Sequence, residues 1–328
     1  MGPSLLFGAA GCLGTLLAAA SGLAPLPTAA QDYPSKPIRL IIGFPTGGNV
    51  DLVGRIVAQK MSEGFGRQVI AENRTGAGSM IANEYVAKAT PDGYTLLMIS
   101  GAYVTQAATQ KKLPYDPIRD FAWISTLVTY PLVVAVRPDS PFKTLDEFIA
   151  QARSNPGKLN YPSPGVGTLY HLAAEMFNSM AGIDVTHVPF RGGGEPIVEV
   201  IAGRMDVLFD ALTNAYPQIQ AGKLRPLAVT STAVSPSLPN VPTVAQSVPG
   251  YEATSFLGIA APAGTPPAIV ERVNREAQRL LSLPEIRQRF AEWGGEARAS
   301  SPEEMRRHVE GEIAKWKRVV EARKLEAR

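Results

Sequence analysis

Short apolar runs alternate with helical patterns in the first hundred residues, and this alternation is the feature that most limits the fold. The run PIRLIIGF at 37–44 has the composition of a strand buried on both faces. Apolar residues at three- and four-residue spacing then predict a helix over 51–63. The unit repeats as a strand over 67–73, a helix over 79–89 and a strand over 94–100. Such alternation is typical of α/β folds with parallel sheets.

A second series of the same kind begins with PLVVAVRP at 131–138. A helix follows, and Thr144 with Glu147 three residues later is the signature of a capping box at its start. The other predicted strands and helices of this series are 158–163, 168–180, 184–190, 195–202, 206–212 and 224–231. We therefore expect two α/β domains, each with a parallel sheet.

The last hundred residues follow a different pattern. Residues 232–250 are rich in proline and have no helical period, which predicts a surface loop. After one further strand, the chain from Pro266 is predominantly helical, and it ends in a charged amphipathic helix over about 302–324.

Composition restricts the class of partner. The 328-residue chain is 45% hydrophobic and 19% charged, the balance of a soluble globular protein with material for two domains. Its 32 basic and 29 acidic residues give a formal charge of +3 and form neither a basic stripe nor an acidic tail. The charge distribution therefore gives no support to a nucleic-acid partner.

The first 31 residues contain no Lys, Arg, Asp or Glu, and 5–20 is apolar. This predicts a signal peptide over 1–30, cleaved near Ala30, and hence an exported, periplasmic protein, although the usual basic start of a signal is missing. The apolar run is too short for a transmembrane anchor. Cys12 is the single cysteine, so a mature chain would have no thiol for disulfides, catalysis or metal binding. A lipoprotein attachment at Cys12 is disfavoured because no leucine stands three residues before it.

Glycine-rich turns lie where the predicted strands pass into helices. In GFPTGGNVD (43–51), Gly47 and Gly48 follow the carboxyl end of the first strand, the place where open α/β sheets bind ligands. A helix N-terminus carries unpaired N–H groups and partial positive charge, so it favours an anion. Asn49 or Asp51 is expected to cap the helix, and for Asp51 this role is favoured over contact with a ligand.

Two further turns have the same character. YPSPGVGTLYH (161–171) places Ser163, Gly167 and Thr168 between a strand and a helix, and PFRGGGEP places Arg191 where a guanidinium can bind a carboxylate. The alternative for any one of these turns is a purely structural role. Together they suggest two facing loops that hold one anion.

Other chemistries find little support in the sequence. The GxG segments 76–78 and 165–167 lack the third glycine of a dinucleotide fingerprint, and no GxxxxGK[ST] or GxSxG motif occurs. The three histidines have no metal-binding spacing. His171 either reaches the anion or packs in its helix, and His187 is expected to be structural. The aromatic residues Phe44, Tyr103 and Tyr170 either wall a pocket or belong to the core.

Several segments along the chain together carry a family resemblance: YPSKPIRLIIGFPTGG with Asp51, VIAENRTGAGSMIANEYVAKATPDGYTLL, KKLPYDPIRDF, HVPFRGG with AGRMDVLFD, LAVTS, VPTVAQSVPGY and APAGTPPAIV. With them the chain resembles the Bug family of periplasmic solute receptors, the binding subunits of tripartite tricarboxylate transporters. The resemblance implies a type II periplasmic-binding-protein (Venus-flytrap) fold that closes on a ligand without chemistry. The implied domains are 31–131 with 253–328, and 132–252.

The resemblance also implies the ligand and its partners. A small organic carboxylate, such as a dicarboxylate, an aromatic acid or an amino acid, would be gripped between the two loops and passed to a membrane transporter or a sensor kinase. We expect a monomer with no cofactor and no metal. The predicted ligand-binding residues are Phe44, Thr46, Gly47, Gly48, Ser100, Thr105, Ser163, Gly167, Thr168, His171, Arg191 and Asp210.

Three departures from the family pattern leave the identity of the acid open. Thr46 stands where alanine is usual, Thr105 and Gln106 replace a frequent Asn-Pro, and Arg191 replaces a common lysine. Two other functions remain possible from the residues alone. The first is an enzyme that uses Asp210 and His171 as acid and base, and the second is an interaction module that has lost its ligand.

Overall fold

A computed structural model describes residues 1, 2, 4, 33–190 and 194–325 of the chain. The predicted signal peptide, its cleavage near Ala30 and the position of Arg191 lie outside the described residues. The strands are β1 Ile38–Ile42, β2 Val69–Asn73, β3 Thr95–Ser100, β4 Phe121–Val136, β5 Asn160–Ser163, β6 Thr186–Pro189, β7 Leu208–Ala211, β8 Arg225–Val229, β9 Thr254–Pro262 and β10 Glu296–Ala297. The helices are α1 Asn49–Phe65, α2 Met80–Ala87, α3 Gly101–Thr109, α4 Leu145–Ser154, α5 Leu169–Ala181, α6 Glu195–Ile201, α7 Leu212–Gln220, α8 Val244–Ser247, α9 Pro267–Ser282, α10 Pro284–Glu292 and α11 Pro302–Ala322.

The strands build a two-domain α/β fold. The first lobe contains the sheet β10-β4-β9-β3-β1-β2. In the second lobe, the far half of β4 pairs with β7 and β8, and β5 pairs with β6. The 16-residue strand β4 therefore runs through both lobes, and β9 accompanies it antiparallel up to the pair Pro131 and Thr254. We call the paired segments 129–131 and 254–256 the hinge strands.

The expected parallel pairing is present in both lobes, but the sheets are mixed. β1 is parallel to β2 and β3, and β5 is parallel to β6, but β9 is antiparallel to β3, and β4 is antiparallel to β7, β8, β9 and β10. The run 131–138 had been interpreted as an independent strand, whereas most of it is the second half of β4. A continuous apolar run shows that a strand is buried but not in which direction its neighbours run.

Local signals predicted most of the other elements. The capping box of Thr144 and Glu147 at the start of α4 is confirmed, and Ser301 and Glu304 form another at the start of α11. Three helices were not predicted, namely α3, α7 and the single turn α8 in the presumed loop. Each has fewer than ten residues, which gives too few repeats for a helical period to stand out.

The long helix α11 connects the lobes. Met305 and Trp316 on its apolar face are fully buried, and it packs on α3 and β4 of the first lobe and on α5 of the second. Near its end, Arg323 Nε donates to the buried carboxylate of Glu175 in α5 at 2.6 Å. Within the described part of the chain, no helix is long and apolar enough to cross a membrane.

Candidate functional site

The loop between β1 and α1 exposes backbone at the carboxyl end of the sheet. Residues 45–48 are exposed, and Gly47 has φ +87°, a left-handed conformation that favours glycine. Gly48 is the extended N-cap of α1 and provides no side-chain cap. Its N–H group forms no hydrogen bond with a residue that the structure describes. The loop therefore presents an unused donor at the positive end of a helix.

Asp51 holds this loop in shape from the first turn of α1. Its buried carboxylate accepts hydrogen bonds from the N–H of Gly47 at 2.9 Å and from Nδ2 of Asn73 at 2.8 Å. Nδ2 of Asn73 also donates to the carbonyl of Phe44 at 2.9 Å, and Nε of Arg55 donates to Asp51 at 2.9 Å. Burial alone raises the pKa of Asp51, but these hydrogen bonds outweigh it and the pKa is lowered. The predicted capping role for this acid is wrong, because α1 begins at Asn49 with Gly48 as its N-cap and has no side-chain cap; Asp51 instead binds the N–H of Gly47 in the turn before the helix.

The loop between β5 and α5 repeats this geometry in the second lobe. Gly167 has φ +78°, and its N–H donates to Nδ1 of His171 at 3.1 Å. Thr168 is the extended N-cap of α5, and its Oγ1 accepts from the N–H of His171 at 3.5 Å and donates to the carbonyl of Gly165 at 2.8 Å. In both loops a side chain four residues later, Asp51 or His171, binds the N–H of a left-handed glycine.

A stack of imidazole rings lies beneath the second loop. The rings of His171 and His187 are 4.0 Å apart between centroids, and Nε2 of His187 lies 2.6 Å from Oγ of Ser163. Burial, followed by the neighbouring His171, lowers the pKa of His187 to about 4, so this ring is neutral at pH 7. Ser163 is 0% exposed and also contacts the backbone of Gly165. This arrangement fixes the loop and does not offer a serine nucleophile to solvent.

Ser163 and Thr168 are among the predicted ligand-binding residues. The structure engages both hydroxyls within the protein, through His187 and the carbonyl of Gly165. By contrast, the N–H groups of Leu169 and Tyr170 in the first turn of α5 have no hydrogen-bond acceptor among the described residues. The unused donors of both loops are therefore backbone groups.

Three helix N-termini meet at the hinge strands. Tyr130 of β4 lies opposite Ser255 of β9, and Ser255 and Asn49, the first residue of α1, both interact with the Tyr130 hydroxyl. A Cβ placed on Gly101, the first residue of α3, would lie 2.8 Å from Oγ of Ser255 and 3.3 Å from Cδ2 of Leu169, the first residue of α5. The starts of α1, α3 and α5, contributed by both lobes, therefore converge on one small region. We call it the hinge cleft.

Asp210 and Tyr170 line the second-lobe side of the hinge cleft. Asp210, 5% exposed at the end of β7, accepts from the N–H of Ala211 at 2.7 Å and from Nδ2 of Asn214 at 3.1 Å. Burial raises the pKa of this carboxyl to about 7. Burial also raises the pKa of Tyr170 well above 10, and the neighbouring Asp210 and Tyr130 add to the rise. The three side chains thus lie within electrostatic reach of one another.

The remaining predicted residues differ in how close they come to the cleft. Ser100 is the buried N-cap of α3 and so lies at the convergence. Thr105 is 2% exposed and its hydroxyl donates to the carbonyl of Ala102 at 3.2 Å, within α3. Phe44 is half-buried, whereas Thr46 is exposed with its hydroxyl 3.5 Å from Oδ1 of Asn73.

A strained turn that sequence reasoning did not assign to the site lies beside the first loop. Residues 76–79 all have positive φ, including the non-glycine residues Ala77 at +47° and Ser79 at +91°. Nε2 of Gln106 donates to the carbonyls of Ala77 and Gly78, while its Oε1 is buried without a hydrogen-bond partner in the described chain. The sequence signal is the GAGS segment, which supports the family resemblance and is rejected as a cofactor motif, without being assigned to the site. Strained backbone of this kind concentrates at functional sites.

Tyr130, Ser255 and Asn73 were also missed. Tyr130 and Ser255 come from strands whose pairing the sequence does not reveal. Asn73 supports the first loop through its hydrogen bonds to Asp51 and to the carbonyl of Phe44. No group of three or more His, Cys, Asp or Glu residues in the described ranges is arranged to hold a metal ion.

A cavity of about 890 Å³ adjoins the hinge strands. It is lined by Thr129, Tyr130, Pro131, Thr254, His308 and the segments 231–237 and 294–300. Because side chains alternate along a strand, the side chains of Thr129 and Thr254 lie on the opposite face from those of Tyr130 and Ser255, which meet the helix starts. The convergence of helix N-termini, rather than this cavity, locates the candidate site.

Comparison with known proteins agrees with this architecture. A family model described as the tripartite tricarboxylate transporter family receptor matches residues 53–325. Protein BugT of Bordetella pertussis is 31% identical over 305 residues, which is 92% of this chain and 93% of that protein.

Two solved structures with bound acids are similar over almost their whole length. Rpa4515 of R. palustris, solved with adipate, is 34% identical with a TM-score of 0.80, and the match covers 89% of this chain and 99% of that one. MatC (Rpa3494) of Rhodopseudomonas palustris, solved with bound malate, is 30% identical with a TM-score of 0.75, and the match covers 88% and 100% of the two chains.

Proposed function

Because this chain belongs to the family of tripartite tricarboxylate transporter receptors, we propose that it is a periplasmic receptor that captures a small organic carboxylate in the hinge cleft. The lobes close over the acid, and the closed form delivers it to a membrane transporter or a sensor. The observation that carries the proposal is the convergence of three helix N-termini from two lobes on Tyr130 and Ser255.

Backbone amides are the proposed grip on the carboxylate. The unused N–H groups of Gly48, Leu169 and Tyr170 stand at the starts of α1 and α5, where the helix dipoles also favour negative charge. Hydrogen bonds to an ionised acceptor are about twice as strong as neutral ones. Adipate and malate in the two similar structures support a carboxylate as the ligand class.

We propose binding without catalysis. Ser163 is fully buried, and Nδ1 of His171 is committed to the N–H of Gly167, so neither residue is placed to attack or deprotonate a ligand in the cleft. Turnover of an acid that binds would refute this part of the proposal.

Replacing Gly48 with proline tests the backbone grip. Gly48 has φ −77°, which proline adopts, and proline lacks the N–H group. A Cβ at this position meets nothing closer than the carbonyl of Pro45 at 3.6 Å, so Gly48→Ala keeps the donor and is the matched control. We expect Gly48→Pro to weaken carboxylate binding about tenfold or more, the value of one hydrogen bond to a charged group.

Calorimetry and thermal shift would provide the readout. Succinate, malate, adipate, benzoate and amino acids would be compared with the uncharged diamide of adipic acid. At 100 times its dissociation constant, an acid stabilises the fold by about 2.7 kcal/mol. A panel in which no acid raises the melting temperature, or equal affinities for the proline and alanine variants, would contradict the proposal.

A further inference from the structure

The turn that joins β7 to α7 has hydrogen-bonding capacity that the protein does not use. Oδ1 of Asp210 accepts from both Ala211 and Asn214, whereas Oδ2 receives no hydrogen bond from a described residue. Three residues later, Oγ1 of Thr213 is buried and has no partner in the part of the chain that the structure describes. Buried polar groups in folded proteins are nearly always satisfied, so two unsatisfied atoms in one turn suggest a ligand or water.

This turn belongs to the hinge cleft. In β7, Ala211 and Asp210 lie opposite Leu132 and Val133 of β4, directly after the hinge strand 129–131. Asp210 and Tyr130 are also the neighbouring groups that add to the raised pKa of Tyr170, in the first turn of α5. The carboxylate of Asp210 therefore lies in the same polar cluster as the amides proposed to hold the acid.

The charge of Asp210 restricts what can lie beside it. Asp210 forms no ion pair with a residue in the described ranges. A second carboxylate at this place would be repelled at low dielectric, while a hydrogen-bond donor would be attracted. The pKa of about 7 means that the carboxyl is ionised in a large fraction of molecules at neutral pH and mostly ionised at pH 8.

We propose that Asp210 selects the ligand by accepting a hydrogen bond from a hydroxyl or ammonium group, so that the preferred ligand is a carboxylic acid with such a donor. This inference rests on the proposed function, because it assumes that a carboxylate occupies the helix N-termini. It names the substrate class of that site as hydroxy or amino acids rather than plain dicarboxylates.

Two matched sets of acids test the inference by calorimetry at pH 8. Succinate, malate and aspartate share one four-carbon skeleton, and adipate, 2-hydroxyadipate and 2-aminoadipate share a six-carbon one. We expect the best donor-bearing acid to bind at least about tenfold more tightly than the plain acid of its set, because a hydrogen bond to a charged group is worth about that much. Preference for the hydroxy or the amino member identifies the donor.

Asp210→Asn is the matching variant, because it keeps the shape of the side chain and removes the charge. The preference should fall to about threefold or less in this variant and stay unchanged in Asp139→Asn, an exposed carboxylate paired with Arg137. The melting temperature of Asp210→Asn without ligand at pH 8 should be no lower than that of the wild type, since the variant removes a buried charge that no described cation compensates.

The possible outcomes separate the two proposals. Equal binding of the plain and donor-bearing acids by the wild type, or a preference that survives in Asp210→Asn, overturns the inference and leaves the receptor function standing. Failure of both sets and of the wider panel to bind refutes the receptor function and the inference together.

Discussion

Asp51→Asn is the substitution that most directly tests how the first loop is held. Oδ2 of Asp51 accepts from the N–H of Gly47 and from Nε of Arg55, and Oδ1 accepts from Nδ2 of Asn73. An asparagine has one acceptor oxygen and one NH2 group at the same positions. In either orientation of the amide, its NH2 group therefore faces an N–H donor that is hydrogen-bonded to the carboxylate in the wild type.

The magnitude follows from these contacts. A buried hydrogen bond to a charged group contributes about 1.5–3 kcal/mol, and at least one is lost. Arg55 is 46% exposed, so its ion pair with Asp51 adds only about 0.5 kcal/mol. We expect a loss of about 3 kcal/mol, which for a chain of this size corresponds to roughly 5 °C in melting temperature. Carboxylate affinity should fall about tenfold, because Gly47 no longer fixes the direction of the Gly48 N–H.

Urea denaturation between pH 3 and pH 8 would measure the effect, with Glu63→Gln as the control. Glu63 lies in the same helix, and its exposed pair with Lys60 should contribute less than about 0.5 kcal/mol. The pKa of Asp51 is lower in the native state than in the unfolded chain, so its stabilisation is complete above the unfolded value near 3.9. The stability gap between wild type and Asp51→Asn should therefore narrow as the pH falls through the native pKa.

Either of two results would refute this reasoning. One is a loss of stability no larger than that of the Glu63 control. The other is a gap that is the same at pH 3 and at pH 8, which would mean that the ionised form of Asp51 is not what holds Gly47.

Three other substitutions examine the neighbouring contacts. Gly43→Ala should cost about 1–3 kcal/mol in urea denaturation because its Cβ would lie 2.4 Å from Cβ of Ser79, and unchanged stability would contradict the packing of the strained turn. The free energy of unfolding should decrease by about 1 kcal/mol between pH 6.5 and pH 4, because the lowered pKa of His187 means that the unfolded chain binds the proton first; this value allows for the partial exposure of the ring. His187→Gln should remove this pH dependence, and a dependence that persists in the variant would exclude His187 as its source. Gly167→Ala should weaken carboxylate binding, measured by calorimetry, at least about tenfold, because Gly167 has φ +78° and the added Cβ would lie 3.3 Å from Oγ1 of Thr109 in the other lobe. Wild-type affinity in this variant would show that the close approach of the two lobes is not needed.

The sequence predicted well what depends on neighbouring residues. The helix after the first loop, the capping box of α4 and the glycine turns before α1 and α5 were all found from local patterns. For Asp51 the local pattern predicted a helix cap, whereas its carboxylate binds the N–H of Gly47 in the turn before the helix.

The parts that were missed depend on pairing between distant residues. Tyr130 and Ser255 are 125 positions apart in the sequence and meet because β4 and β9 are antiparallel neighbours. No local pattern distinguishes the hinge-crossing strand β4 from two shorter strands, so neither its continuity nor the mixed sheet could be predicted. His187 was expected to be structural, but its 2.6 Å contact with Ser163 required the pairing of β5 with β6.

The two loops also explain why a receptor of this kind uses only some of the amides of each loop for itself. If the protein had taken every N–H group at the starts of α1 and α5, no donor would remain for an anion. Instead, Asp51 binds the N–H of Gly47 and His171 binds that of Gly167, which fixes each turn, while the N–H groups of Gly48, Leu169 and Tyr170 have no acceptor among the described residues. The loops are thus ordered when the chain folds, so that less conformational entropy is lost when the acid binds. The same reasoning explains why Asp51→Asn should affect both stability and affinity, whereas Gly48→Pro should affect mainly affinity.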